Sequence, residues 1–362
     1  MGRVGPSCAG AAAILIVLLG GTLILSPTAC YLGRGAWEEA KILSRRRQIS
    51  DILSDKSVDS VTRKKLAIVS AARIYARDVI GLKTKDSFTA YSRLDHDTLV
   101  LVLSAAYRDR LQPYTWWFPV VGRVPYKGYF DFAAARRDAE GLEQEGYDTY
   151  VRPSDAFSTL GFFNDPLLST TLRRDTLDLA NTVIHEVTHN TFYAPGQVAF
   201  NESFASFVGA RGAAAFFRAR GQPAAAAQVE AEWDDDKLLG AFWMHVSAAL
   251  DSAFARNPTD RAARLAARDS IYHAARRTLV DTLALQFKVF PPAYAERVRL
   301  DNASLLARRV YAMELALFDA VWLRSDRDVR TAVKQIIALA QSKPDDPFGA
   351  VRGWVAAHPV RD

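Results

Sequence analysis

From Ala36 onward, apolar residues recur every three and four positions through stretches rich in Ala, Leu and Arg, the period of an amphipathic helix. Residues 36–54, 60–81, 223–256, 259–288 and 301–322 carry this pattern and are expected to be helical. Turn signals separate them: Gly221-Gln222-Pro223, Asn257-Pro258, Pro291-Pro292 and the Lys-Pro-Asp-Asp-Pro run at 343–347. Between about 98 and 170 the pattern changes. Short aromatic and β-branched pieces at 114–121, 124–130, 148–152 and 156–163 read there as strands. No internal repeat or low-complexity linker divides the chain. The expectation is a mainly α chain with a small β-sheet in its first half (α+β), as one domain over 31–362.

The N-terminus follows a different pattern. Arg3 is the only charge before Arg34, and residues 9–25 are almost purely Ala, Gly, Leu, Ile and Val. Such a run has the length of a short membrane span or a signal-peptide core. Residues 1–30 are therefore expected to be a signal, lipoprotein-like or anchor segment, and the body an exported, membrane-attached one. Ser26-Pro27-Thr28-Ala29-Cys30 resembles a lipobox, with Pro27 where an aliphatic residue is usual, so attachment is through a lipidated Cys30 or an uncleaved anchor. Arg34, Lys41 and Arg45-Arg46-Arg47 lie downstream, and on a charge count they favour a cytoplasmic placement of that side.

Composition narrows the chemistry. Forty-nine per cent of the residues are apolar and 24% charged, which excludes a disordered chain. The net charge of +6 comes without a long basic block, so no nucleic-acid partner is expected. The two cysteines, Cys8 and Cys30, both precede the body. A catalytic thiolate, a Cys-ligated zinc or an iron–sulfur cluster in the body is thereby excluded. Gly-x-Ser-x-Gly and Gly-rich phosphate loops are absent from the sequence as well.

One segment carries chemistry: Asp175 to Asn190, which contains His185-Glu186-Val187-Thr188-His189. Asp175 can cap a helix, and Asp178 complements its positive end. With His185 set at zero on a 100° wheel, His189 falls at about 40° and Glu186 at about 100°. Leu177, Leu179, Ala180, Val183, Ile184 and Val187 occupy the opposite arc. Histidines at i and i+4 can hold one Zn²⁺, while Glu186 faces a metal-activated water as general base. With 6 His and 11 Glu in the chain, a chance His-Glu-x-x-His is expected only about 0.003 times. A catalytic zinc wants a third protein ligand. Glu202 follows His189 by 13 positions in Phe200-Asn201-Glu202-Ser203-Phe204-Ala205. Ala194-Pro195-Gly196 breaks the first helix, Asn201 can cap a second, and Glu202 can then return to the metal.

These two motifs resemble a gluzincin metallopeptidase signature. Across most of the chain the sequence is similar to a bacterial family of predicted aminopeptidases, many of them lipoprotein-like. Further similar segments are Trp117-Phe118-Pro119, Val124 to Phe130, Phe157 to Leu167, and Asn302-Ala303-Ser304-Leu305 with Tyr311. Val187-Thr188 stands where that pattern has Leu-Ala. The resemblance implies a zincin-like core, one Zn²⁺ per chain held by His185, His189 and Glu202, Glu186 as general base, and peptides as substrate.

Weaker signals stay open. Residues 156–163 are either a substrate-pairing edge strand or an ordinary core strand. Tyr126, Tyr193, His245, Tyr272, His273 and Tyr311 are candidates for stabilising an oxyanion, with no basis for choosing among them. An acid that would hold a substrate α-ammonium is not identifiable, and Asp234-Asp235-Asp236 reads as a solvated helix face. Arg45-Arg46-Arg47 reads likewise, with anionic lipid as the alternative partner. An aminopeptidase leads, ahead of a metal-dependent envelope endopeptidase and a membrane-tethered binding protein with a structural zinc.

Overall fold

The computed structural model describes residues 40–359 apart from 95–97, 119–121 and 155–165, together with 33, 35 and 37. The expected leader, with Cys8 and Cys30, and the expected strand at 156–163 lie outside the described residues. Strand β1 (Arg47–Gln48) leads into helices α1 (Ile49–Ser54) and α2 (Ser60–Tyr75). Asp59 caps α2 by accepting the Thr62 N–H. A wider π-type turn over Ala76–Ile80 extends α2 and stops at Gly81, whose φ of 86° suits glycine. Strands β2 (Ala90–Ser92), β3 (Val100–Tyr107), β4 (Trp116–Phe118), β5 (Gly122–Val124) and β6 (Tyr126–Tyr129) precede helix α3 (Phe132–Gln144), with β7 (Tyr147–Ser154) and β8 (Leu167–Leu168) after it.

The strands form small sheets. β3 is central, antiparallel to β6 on one side and to β7 on the other, with Leu101 opposite Tyr129 and Ser104 opposite Tyr150. β2 lies between β1 and β8, and β4 pairs with β5. The central strand and α3 were not among the expected elements. Val100–Tyr107 is an almost continuous apolar run buried on both faces, so it lacks the alternation that marks a half-buried strand.

The second half is helical: α4 (Thr176–Thr191), α5 (Val198–Ala219), α6 (Pro223–Arg256), α7 (Arg261–Thr278), α8 (Pro292–Arg297), α9 (Asn302–Arg309), α10 (Leu315–Arg324), α11 (Val329–Ser342) and α12 (Pro347–Ala357). The molecule is thus mainly α with small β-sheets, as the pattern predicts. The expected helix at 301–322 is split, with Glu314 at φ 50° between α9 and α10. The break lets residues 310–313 lie against two helices. Ser203 of α5 receives the Met313 N–H at 3.0 Å, and a Cβ built on Gly240 of α6 would stand 2.6 Å from the Ala312 carbonyl oxygen.

The main core gathers α2, α4, α5, α10 and α11 around buried Phe200, Phe204, Phe207 and Phe318. Beside it, Arg211 makes a two-pronged ion pair with Asp319 at 2.8 and 2.6 Å, and Trp233 Nε1 and Lys237 donate to the same carboxylate. α4 and α5 run antiparallel and pack most closely at two glycines. A Cβ on Gly209 would lie 2.3 Å from Asn181 Oδ1 and 3.2 Å from His185 Cβ; one on Gly212 would lie 2.9 Å from Ile184 Cγ2. Gly209→Ala is therefore expected to push α5 away from α4, costing about 1–3 kcal/mol as overpacking does. Thermal scans of the variant against the wild type would read the loss directly.

Candidate metal centre and active site

Asp175 caps α4 as expected, accepting the N–H groups of Leu177 and Asp178. Leu179, Ala180, Val183, Ile184 and Val187 are fully buried, so the apolar stripe fixes the helix's rotation about its axis. His185 and His189 consequently face the start of α5, and Glu186 stays exposed. Asn201 does not cap α5 as expected. The helix begins earlier, at Val198, and the buried Asn201 amide instead binds both the N–H and the C=O of Ala194 at 2.8 Å. That clasp holds the Ala194-Pro195-Gly196 turn shut and sets Glu202 in the second turn of α5.

The geometry brings three side chains to one point. His185 Nε2 and His189 Nε2 are 3.3 Å apart. Glu202 Oε2 is 3.5 Å from the first and Oε1 3.7 Å from the second. Ligands at the usual zinc distances of about 2.0–2.2 Å around a tetrahedron are separated by roughly 3.3–3.6 Å. Two imidazoles and a carboxylate are also donors that zinc takes. The residues present therefore fit the ion, and among the described residues no other group of three such side chains is so close. The side chains are only 15, 23 and 21% exposed, which restricts water to the open side.

The charges suit a cation. Burial, then the neighbouring His185, holds His189 below the ordinary histidine range, so its lone pair is free at neutral pH. Burial pushes the Glu202 carboxyl up, but the hydrogen bond from His185 and the charges of His189, His185 and Arg152 outweigh it and hold it low. Glu186 has no ion-pair or hydrogen-bond partner among the described residues and remains available as a base.

Of the six oxyanion candidates, Tyr311 stands beside this centre. Its phenol is pushed up by burial and then by the charge of Glu202, with Glu186 adding to the rise and Arg152 opposing it. It therefore keeps its proton. Ser203, adjacent to Glu202 in sequence, helps put it there by binding Met313. Tyr272 is buried with its hydroxyl on Asn302 at 2.8 Å, a structural role. Tyr126, Tyr193, His245 and His273 are exposed, as Tyr311 is at 43%, so it is the neighbouring charges of the centre and not exposure that single out Tyr311.

A cavity of about 280 Å³ adjoins the centre, lined by Ser206, Tyr311, Arg152, Asp236 and Arg308 among others. Ser206 binds the Glu202 carbonyl at 2.9 Å, one helical turn along. Strand β7 supplies Tyr150 and Arg152, and among the described residues it pairs only with β3.

The acidic run at 234–236 needs correcting. Asp234 is bound to Lys237 and Lys288 at the surface. Asp235 is buried and accepts the N–H groups of Lys288, Val289 and Phe290. Asp236 is exposed, as a solvated face would be, but it lines the cavity and has no hydrogen-bond or ion-pair partner among the described residues. The missed signal was its place on the α6 wheel, within about 80° of Val229, Trp233, Gly240 and Trp243, the inner face. Burial, then Glu232, Asp235 and Asp178, pushes its carboxyl up to about 7.

A family model described as "Putative aminopeptidase" matches residues 30–347, a span that includes every residue of this site. The chain belongs to that family. No curated protein matches it, and no solved structure does. Membership in an aminopeptidase family agrees with peptide hydrolysis.

Proposed function

We propose that this member of the aminopeptidase family is a zinc-dependent peptidase acting at the N-terminus of short peptides, one Zn²⁺ per chain, with His185, His189 and Glu202 as ligands. The observation that carries the reading is the tetrahedral spacing of those three donors beside an unpartnered glutamate. When bound, zinc would supply Lewis acidity and lower the pKa of water at its open position.

The protein's own groups supply the rest. Glu186 accepts a proton as the scissile carbonyl is attacked and returns it to the departing amine. Tyr311, still protonated, donates a hydrogen bond toward the charge that develops on the carbonyl oxygen. Asp236 offers a carboxylate for the substrate's α-ammonium, the group that separates an aminopeptidase from an endopeptidase. Such an acid gives up its raised pKa when a cation settles against it. In the same reading the N-terminal segment keeps the enzyme at the membrane of the cell envelope.

Glu186→Gln should bind one zinc per chain as the wild type does, while hydrolysis of free-amine peptides falls by at least about 10²-fold. Undiminished hydrolysis in that variant would remove Glu186 from the mechanism.

A further inference from the structure

The best-buried arginines of this protein follow one rule. Arg211 is 9% exposed and held by Asp319, and Arg268 is 5% exposed and held by Asp148 at 2.5 Å. Arg308 breaks it. Its guanidinium sits 5.5 Å from the Tyr150 ring centroid and 5.6 Å from that of Trp243. Its terminal nitrogens reach only two phenol oxygens, those of Tyr294 and Tyr150, both at 3.3 Å. Its Nε, like that of Arg268, is buried with no hydrogen-bond partner among the described residues. No carboxylate among the described residues is within ion-pair distance. A half-buried cation without a counter-ion is costly, and this one lies near the Tyr150 and Trp243 rings, lining the cavity next to the candidate metal centre.

The cavity also holds a carboxyl group that does not pair with it. Asp236 precedes Trp243 by two turns of α6, roughly 10 Å along the axis, and makes no ion pair with Arg308. Tyr294 hydrogen-bonds Arg308 and feels the charge of Asp236. A guanidinium and a carboxyl that ionises against a cation, each without an ion-pair partner among the described residues and held apart in a cavity of about 280 Å³, form a receptor for a small ligand with an ammonium at one end and a carboxylate at the other. A guanidinium binds a carboxylate through two parallel hydrogen bonds, which is the pairing Arg308 lacks.

We propose that Arg308 is the carboxylate-binding residue of this cavity and that the protein selects very short peptides by their free carboxylate. Arg152, nearer Tyr311, contributes a second positive charge. The proposal takes its substrate class from the peptidase reading, but the cavity's preference for carboxylate can be measured without turnover.

The test uses full-length, zinc-loaded Glu186→Gln protein and calorimetric binding of Ala-Ala, its C-terminal amide, and Ala-Glu amide. Ala-Ala should bind at least about tenfold more tightly than its amide, the value of a charge-assisted pair. Adding Arg308→Gln should reduce that ratio to near one, and adding Arg308→Lys should leave part of it. Arg308→Gln should not lower the melting temperature, because it removes an unpaired charge; a merely structural arginine would lower it. Ala-Glu amide binding as tightly as Ala-Ala would assign the carboxylate to a side chain rather than the C-terminus, with Arg308 still its partner. Equal binding of acid and amide, or a ratio unchanged by Arg308→Gln, overturns the proposal. Discrimination that persists while the protein with Glu186 intact hydrolyses no peptide would sink the peptidase reading and leave the carboxylate site standing.

Discussion

Everything at the candidate centre depends on how closely two antiparallel helices approach. The imidazoles on α4 and the carboxylate on α5 meet within 3.7 Å because Gly209 and Gly212 present no side chain where the backbones pass. Three polar groups so close repel or desolvate one another unless the scaffold holds them. The scaffold here is the apolar stripe of α4, packed into the phenylalanine cluster of α5 and α10, which resists rotation of either helix. The glycines set the distance and the core sets the rotation.

From that contact the remaining parts are placed in turn. Asn201 closes the turn between the two helices. Ser203, two residues along α5, catches the break between α9 and α10, and so brings Tyr311 toward Glu202. Gly240 lets α6 approach the same break, which brings Asp236 to the mouth of the cavity that Tyr311 also lines. The site is therefore a consequence of α5 meeting α4 on one side and residues 310–313 on the other, with β7 supplying Arg152 from the small sheet.

The helix of the metal motif was legible in the sequence because periodicity, cap and apolar stripe all agreed, and Glu202 was reachable from the length of the intervening turn. Helical content and the position of the sheet were legible for the same reason. The central strand β3 was not, since a strand buried on both faces carries no alternation. The cap of α5 was misassigned because asparagine serves caps and buried clasps equally well, and only the surroundings of Ala194 distinguish them. What sets Asp236 and Arg308 apart is something absent around them, a counter-ion among the described residues in each case. A one-dimensional sequence does not display an absence of that kind, although the position of Asp236 on the inner face of α6 could have been read from the wheel. Gly209 looked like any helical glycine until the neighbouring helix was in place.

The most direct measurement is zinc content together with zinc K-edge absorption on the full-length chain. One zinc per chain with two imidazole nitrogens and carboxylate oxygen at about 2.0–2.2 Å, lost in His185→Ala and weakened in Glu202→Ala, is the expected result. A wild-type chain that takes up no stoichiometric zinc, or holds it through other donors, would contradict the account at its root.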